Sequence, residues 1–547
     1  LFSVEAFGPE APDPGSRLLD DFADELDDVA ESPAEARRLL LRARQELVPS
    51  YLDDLAASPL WDGVRVVGFT CTFQQSVASI ALARRLKERF PHIVTVFGGA
   101  NFDGEMGLEL LGGVDAIDYA VVGEGDDAFP ALLAALAAGT DPAAVPGVAC
   151  RTTSGVTLTP PAPPRGRLDD LPTPDYTEYF DRATSLGLLD PEASRVIGLP
   201  FESARGCWWG AKHHCTFCGL NGTSMQFRSK SPDRVAEELA VLARRHRHFT
   251  FDAVDNILDA RYLTTMLPAI VDSGADYDLF YEVKANLTRA QLKLLAAAGV
   301  RRIQPGLESL DSEVLELMRK GVRASQNVNL LRWAAYYGIA VSWNIIWGFP
   351  GETTEQYDRQ AAAIPHLIHL LPPGGAGPVW MERFSPLFAQ SETYPVKHRA
   401  AEASYSYVYP AAFDLDRLAY FFEYEFADAL PDTAYDGVRD AVAGWSTAWS
   451  AETVPRLTCS AAPGFVQIDD RRYPGREGTY TFEGTLARIY QAISDRAMSA
   501  PAVARKLDLP LATEAIEEIF GEFAARGLVF RDGPLALALA LPAVSGR

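Results

Sequence analysis

The stretch FESARGCWWGAKHHCTFCG, residues 201–219, decides how the rest of the chain is read. Residues 201–205 have the composition of a short buried strand. Cys207, Cys215 and Cys218 follow at once in the spacing C-x7-C-x2-C. Downstream, further strand-like runs occur at residues 249–254, 279–284, 302–307, 339–346 and 379–384. Helical patterns fill the gaps at residues 231–245, 261–271, 288–298, 312–320 with 325–337, and 354–370. Ser231-Pro232 is a good helix start, with Ser as N-cap and Pro at the first helical position. Six strand–helix units in order predict a barrel or partial barrel, in which chemistry sits at the carboxyl ends of the strands. The cysteines stand where that rule puts a reactive site.

Upstream, a shorter alternating pattern predicts a doubly wound parallel sheet. Strands are expected at residues 64–69, 93–97 and 119–122, with helices at 80–90 and near 106–111. Such sheets bind ligands beyond the carboxyl ends of their strands. Three of those ends carry small or polar residues: Thr70-Cys71-Thr72, Gly98-Gly99-Ala100-Asn101 and Gly123-Glu124-Gly125. Residues 1–60 read as helical. The proline-rich run 159–174 opens a linker taken to extend to residue 195. A helical or irregular connector is expected over 396–470. In the last segment, 471–547, Leu486, Ile489, Tyr490 and Ile493 keep helical spacing, as do Ile516, Ile519, Phe520 and Phe523. Two strand-like runs around Asp532-Gly533 give a hairpin signal, so this end resembles a winged-helix module.

The chain has 547 residues, enough for about three to five domains. Its 50 Lys+Arg against 73 Asp+Glu give a net charge of -23, a poor basis for binding a phosphate backbone. Residues 484–533 hold six basic and seven acidic side chains, so this module is expected to bind a protein or peptide rather than DNA. No apolar run approaches the ~18 residues of a membrane span, and no signal peptide is visible, so neither a membrane nor nucleic acid is an expected partner. Six cysteines are too few for a secreted disulfide scaffold, and a cytoplasmic location is expected. The chain opens on Leu1-Phe2, so residues upstream are expected to be missing.

Three chemistries compete for the cysteine cluster. Three thiolates can hold a [4Fe–4S] cluster and leave one iron without a protein ligand, free to chelate an amine and a carboxylate. A zinc ion with His213 or His214 as the fourth ligand is the second. Three unrelated buried cysteines are the third.

The run RGCWWGAKHHCTFCGLNGTSMQFRSK, residues 205–230, resembles the cluster loop of radical S-adenosylmethionine (SAM) enzymes, although the usual spacing there is C-x3-C-x2-C. It is similar to the cobalamin-dependent branch that matures ribosomally made peptides, the C-methyltransferase type. Matching segments follow in order: Asp255-Asn256-Ile257-Leu258, Glu282-Val283-Lys284-Ala285-Asn286-Leu287, Gln304-Pro305-Gly306-Leu307-Glu308-Ser309, Gly348-Phe349-Pro350-Gly351-Glu352-Thr353 and Arg383-Phe384-Ser385-Pro386. The resemblance implies an α/β multidomain chain: a helical segment (1–60), a Rossmann-like cobalamin-binding domain (61–158), a linker (159–195), a partial (β/α)6 radical SAM barrel (196–395), a connector (396–470) and a C-terminal winged-helix-like α+β peptide-binding domain (471–547).

It further implies a [4Fe–4S] cluster on Cys207, Cys215 and Cys218. Glu282, Asn286, Gln304, Glu308, Ser309, Asn344 and Arg383 would contact SAM. The ends Thr70-Cys71-Thr72, Gly98-Gly99-Ala100-Asn101 and Gly123-Glu124-Gly125 would line the cobalamin slot. The D-x-H-x-x-G motif that supplies a histidine to cobalt is absent, and the family's first βα unit has no counterpart before Val64. The implied reaction is methylation of an unactivated carbon in a precursor peptide. An external one-electron reductant would drive SAM cleavage to a 5′-deoxyadenosyl radical, and methylcobalamin would give the methyl group. No residue is assigned as a catalyst. The alternatives are a non-methylating radical modification of a peptide or small natural product, and a zinc-stabilised regulatory protein.

Overall fold

The computed structural model describes residues 1–26, 29–189, 197–222 and 224–544. The expected boundary between linker and barrel, at 195/196, lies outside the described residues, as does the end of the C-terminal domain beyond 544. The chain forms two compact units. One comprises Leu1–Gly166, Phe217–Ser224 and Trp380–Phe426; the other comprises Arg167–Thr216, Met225–Val379 and Ala427–Arg547. Among the described residues, no helix is long and apolar enough to cross a membrane.

In the first unit, Val66–Thr70, Val94–Gly98 and Tyr119–Val121 pair in parallel. An antiparallel hairpin, Val148–Thr152 and Gly155–Leu158, extends the sheet. Adjacent strand residues point to opposite faces. Phe97 and Ala120 therefore enter one apolar cluster, with Ile80 and Leu110 from helices Gln75–Arg89 and Glu105–Gly113. Val96 and Val121 enter the other, with Leu132 from helix Gly125–Ala138. Both faces are covered, but the strands run in chain order. The doubly wound expectation is corrected on this point: strand order never reverses among the described residues, so there is no switch-point crevice. The expected helical or irregular connector is corrected too. Residues 421–426 alternate as FFEYEF and form the strand Phe421–Phe426, flanked antiparallel by Met381–Glu382 and Val396–Ala401.

In the second unit, Leu199–Phe201, Thr250–Ala253, Asp278–Glu282, Val300–Gln304 and Ala340–Val341 form a parallel sheet in chain order. The fifth strand breaks at residues 342–343 and resumes as Asn344–Trp347, which pairs in parallel with Gly375–Pro378. The sixth strand is therefore not at 379–384. Gly-Ala-Gly-Pro carries no apolar alternation and gives no strand signal, whereas the alternating run just after it pairs inside the first unit. Side-chain caps start the helices: Ser231 accepts from the Arg234 N–H at 3.3 Å, and Thr288 forms a capping box with Gln291.

The C-terminal part opens with strands Arg456–Ala462, Phe465–Arg471 and Gly478–Glu483. Helices Gly484–Ala492, Ala500–Leu507 and Thr513–Ala525 follow. The hairpin Val529–Asp532/Leu535–Ala538 then adds Met498–Ser499 as a third strand. Its Asp532 is buried. The carboxylate accepts from Arg323 at 2.6 and 3.0 Å, from Ser312 at 2.7 Å, and from the Ser325 hydroxyl and N–H at 2.7 and 3.1 Å. Arg332, also buried, donates to the carbonyls of Leu539, Ala540 and Ser494, each at 3.1 Å. These two clamps tie the module to helix Ala324–Tyr337.

Burial raises the pKa of Asp532, but its bonds to Arg323, Ser325 and Ser312 outweigh that and hold it below the usual carboxylate range. Its stabilising contribution is thus present above an unfolded pKa of about 4 and lost as pH falls through the lower folded value. Asp532→Ala should lower stability by about 2–3 kcal/mol at neutral pH, read as a shift of the urea midpoint, and by less in acid.

Candidate active site

Asp255 fixes how the chain leaves the first barrel strand. Its buried carboxylate accepts from the N–H groups of Ser203 at 2.7 Å and Ala204 at 2.9 Å, and from the Ser203 hydroxyl. Burial pushes its pKa up to about 7 against those donors. The chain then reaches Cys207, whose Sγ accepts from the Gly210 N–H at 3.3 Å. No disulfide joins any of the six cysteines. Cys207 and Cys215 belong to the second unit, and Cys218 lies in the segment grouped with the first.

Among the described residues, no three His, Cys, Asp or Glu side chains converge as ligands of a single ion. The zinc alternative gains nothing from His213, whose ring stacks on Trp209 with centroids 4.3 Å apart. Thiolates bound to separate irons of a cube need no such convergence, so three cysteines outside any disulfide, with an N–H donated to Cys207, suit a [4Fe–4S] cluster.

Around this loop the strand ends gather charge. Glu282 ends its strand in register with Gln304, the last residue of the next. Burial raises the Glu282 pKa to about 7; Lys320 opposes the shift and Glu308 adds to it. Glu308 lies 3.5 Å from Lys320 Nζ and bridges Ile345. Lys284, which sequence reasoning did not single out, places Nζ 3.5 Å from the Trp209 ring centroid. Burial lowers its pKa to about 8; the neighbouring Lys320 adds to this, while the thiols of Cys215 and Cys207 oppose it. Two carboxylates, two ammonium groups and two thiols thus form one electrostatic system.

The other SAM candidates divide. Gln304 is exposed at the end of its strand, and Asn286 is exposed beyond its own. Asn344 is exposed where its strand resumes, in register with Gly375. Ser309 is fully buried, and its hydroxyl donates to Gln360 at 3.0 Å, so its side chain braces the barrel instead of facing a ligand. Arg383 needs a similar correction. It is buried in the first unit and donates to the carbonyls of Ala419, at 2.6 Å, and Asp416, with Phe388 and Phe422 against its guanidinium. Glu352 closes the Gly348–Phe349 turn by accepting both N–H groups at 2.9–3.1 Å.

At the carboxyl edge of the first unit's sheet, Thr70, Ala100 and Gly123 are exposed, and Gly98, Gly99, Asn101, Glu124 and Gly125 are partly so. Gly99 has φ +97°, and a Cβ there would lie 2.7 Å from the Cys71 carbonyl oxygen, so only glycine fits. Cys71 itself is corrected: it is fully buried, and burial raises its thiol pKa, so it packs under the slot and meets no ligand. Thr72 hydrogen-bonds Gln75 at the start of the following helix. Glu124 accepts the Arg165 N–H at 3.0 Å. Asp103, missed in the sequence, accepts the Gly123 N–H at 3.0 Å, and burial raises its pKa. Nothing but the Asp-Gly pair 103–104 signalled it. Apart from its own chain neighbours, nothing lies within 4 Å of a Cβ placed on Gly123, leaving open space for a ligand's close approach.

Comparison with known proteins gives both regions a family. Residues 201–360 match the Radical SAM superfamily, and residues 44–133 match the B12 binding domain, starting ahead of the boundary expected at 61. An uncharacterized methyltransferase of Pyrococcus horikoshii is 26% identical over 305 residues, 54% of this chain and 62% of its own length. The hopanoid C-3 methylase of Methylococcus capsulatus is 30% identical over 340 residues, 59% of this chain and 61% of its own length. The chain thus spans about three fifths of these curated relatives. The structure of the radical SAM methyltransferase TsrM from Kitasatospora setae, with cobalamin and a [4Fe–4S] cluster, shares the fold at a TM-score of 0.53 and 19% identity, covering 74% of this chain and 81% of that one. The cofactors of the two domains are accordingly cobalamin, SAM and a [4Fe–4S] cluster.

In the cofactor-free protein, Glu282 stays protonated in the fold while the unfolded chain ionises at a lower pH. The fold therefore loses stability as pH rises from the unfolded pKa to about 7. Glu282→Gln removes that cost. Its urea midpoint should match the parent's near pH 4 and exceed it near pH 8, by about 1–3 kcal/mol.

Proposed function

We propose that this chain, in which a B12-binding domain precedes a radical SAM domain, is a cobalamin-dependent radical SAM methyltransferase acting on a carbon centre. Its substrate, in this proposal, is a ribosomally made precursor peptide. The observation that carries the assignment is the cysteine loop at the end of the first barrel strand, with Glu282, Glu308, Lys284 and Lys320 grouped around Cys207 and Cys215. When bound, the cluster and SAM supply a 5′-deoxyadenosyl radical and cobalamin supplies the methyl group.

Cys207, Cys215 and Cys218 would hold the iron. Glu282, Asn286 and Gln304 would take the polar groups of SAM at the strand ends. The indoles of Trp208 and Trp209 are held against the barrel by N–H donation to the carbonyls of Leu258, at 3.0 Å, and Arg319, at 3.1 Å; they would shield the cluster from water. Gly98, Gly99, Ala100, Asn101, Gly123 and Gly125 would let cobalamin approach the sheet edge of the first unit. The nearly neutral C-terminal helices and hairpin would bind the peptide's leader, raising the local concentration of its core. An external one-electron reductant and a reducing, cytoplasmic setting complete the proposal.

The test is anaerobic reconstitution followed by incubation with SAM, cobalamin, a reductant and the precursor peptide encoded nearby. The expected result is a brown protein that releases 5′-deoxyadenosine and a peptide heavier by one CH₂. Cys207→Ala, Cys215→Ala and Cys218→Ala should each lose the cluster absorbance and the nucleoside. Stoichiometric zinc without iron overturns the assignment. Nucleoside release without a change in peptide mass rejects the peptide and keeps the enzyme class.

A further inference from the structure

The first gap of the cysteine motif holds seven residues, and a loop that long can place Cys207 and Cys215 at many separations. In the structure it has one conformation. Residues Gly210–His213 form a single helical turn, begun by the Ala211 N–H donating to the Cys207 carbonyl at 2.8 Å. His214, at φ +29°, ends that turn and sends the chain to Cys215.

The loop is seated on one short segment, residues 317–321. Trp209 Nε1 donates to the Arg319 carbonyl at 3.1 Å. The Thr216 N–H donates to the Met318 carbonyl at 3.1 Å, and its hydroxyl to Leu317 at 3.4 Å. Lys284 Nζ donates to the Lys320 carbonyl at 2.5 Å. A Cβ on Gly321 would stand 2.0 Å from the Trp209 ring, so the segment must end in glycine for the indole to fit. The indole touches two further groups: the Lys284 ammonium, 3.5 Å from a ring centroid, and the His213 imidazole, 4.3 Å away and tilted by 28°.

Resting on the proposed iron–sulfur assignment, we infer that Trp209 and Lys284 are positioning residues that lock the widened cysteine loop onto segment 317–321 and set both the retention and the electron affinity of the cluster. Trp209 acts by geometry: it is two residues from Cys207, its ring meets His213 two residues before Cys215, and its N–H is anchored. Lys284 acts by geometry and charge. A desolvated cation over an indole face attracts it and so favours the loop's single conformation. When protonated, the same ammonium, seated on the indole two residues from Cys207, favours the form of a thiolate-bound centre that carries one more electron.

The test uses the full chain reconstituted anaerobically, with Trp209→Ala, Lys284→Met and Lys284→Arg beside the parent. Readouts are iron retained against a chelator and the cluster midpoint potential from a titration followed by electron paramagnetic resonance; far-ultraviolet circular dichroism confirms the fold. Trp209→Ala should lose iron about tenfold more readily. Lys284→Met should show a more negative midpoint potential, which Lys284→Arg restores toward the parent value. Folded variants with parental iron retention and potential overturn the inference while leaving the iron–sulfur assignment intact. A parent protein that takes up no [4Fe–4S] cluster overturns both.

Discussion

The barrel mouth depends on one buried carboxylate. Asp255, on the loop after the second barrel strand, gathers two N–H groups and a hydroxyl from residues 203–204. Those donors belong to the segment between the first strand and Cys207, so the carboxylate decides the direction in which the cysteine loop departs. Burying a carboxylate is costly unless its oxygens are satisfied, and three donors offset part of that cost. Tyr262 reinforces the arrangement, its hydroxyl reaching the carbonyls of Ser203 at 3.1 Å and Lys230 at 2.8 Å. The same region holds a buried ion pair, Lys230–Glu238 at 2.8 Å, with Arg234 3.2 Å from the same carboxylate oxygen. Hydrogen bonds and ion pairs thus hold the base of the loop.

Above that base, charges are balanced in a small volume. Glu282 and Glu308 repel each other, and Lys320 offsets them. Lys284 pays for its burial with the indole face of Trp209 and a carbonyl. A bound sulfonium with its carboxylate and amine would meet groups of both signs here, which suits a zwitterionic ligand better than a simple anion or cation. The first unit works differently. Its slot offers backbone and small residues, and the half-buried carboxylate of Asp103 is turned to the Gly123 N–H. Such a surface approaches a large neutral ligand closely and leaves the chemistry to that ligand.

Much of this was legible along the chain because it is local. The barrel strands up to the fifth bury apolar residues between more exposed ones, as in Asp278–Glu282 and Val300–Gln304, and the cysteine spacing is visible without any fold. The misreadings came where the pattern of one segment answered to a distant one. The sixth strand, Gly375–Pro378, is a strand because Asn344–Trp347 lies beside it. Phe421–Phe426 alternates plainly, yet its partners lie about 20–40 residues upstream. Ser309 and Arg383 have the polarity of ligand contacts, but Gln360 and two backbone carbonyls had already claimed them.

The sequence by itself determined the order of strand–helix units, the cysteine spacing and the glycine-rich strand ends, because periodicity and residue chemistry are properties of neighbours in the chain. Only the tertiary structure decided that Lys284, Lys320 and Trp209 belong to the site. It also decided that Asp255 directs the loop. Each of those roles is set by burial and by partners tens of residues away, and neither is written in any single stretch of the chain.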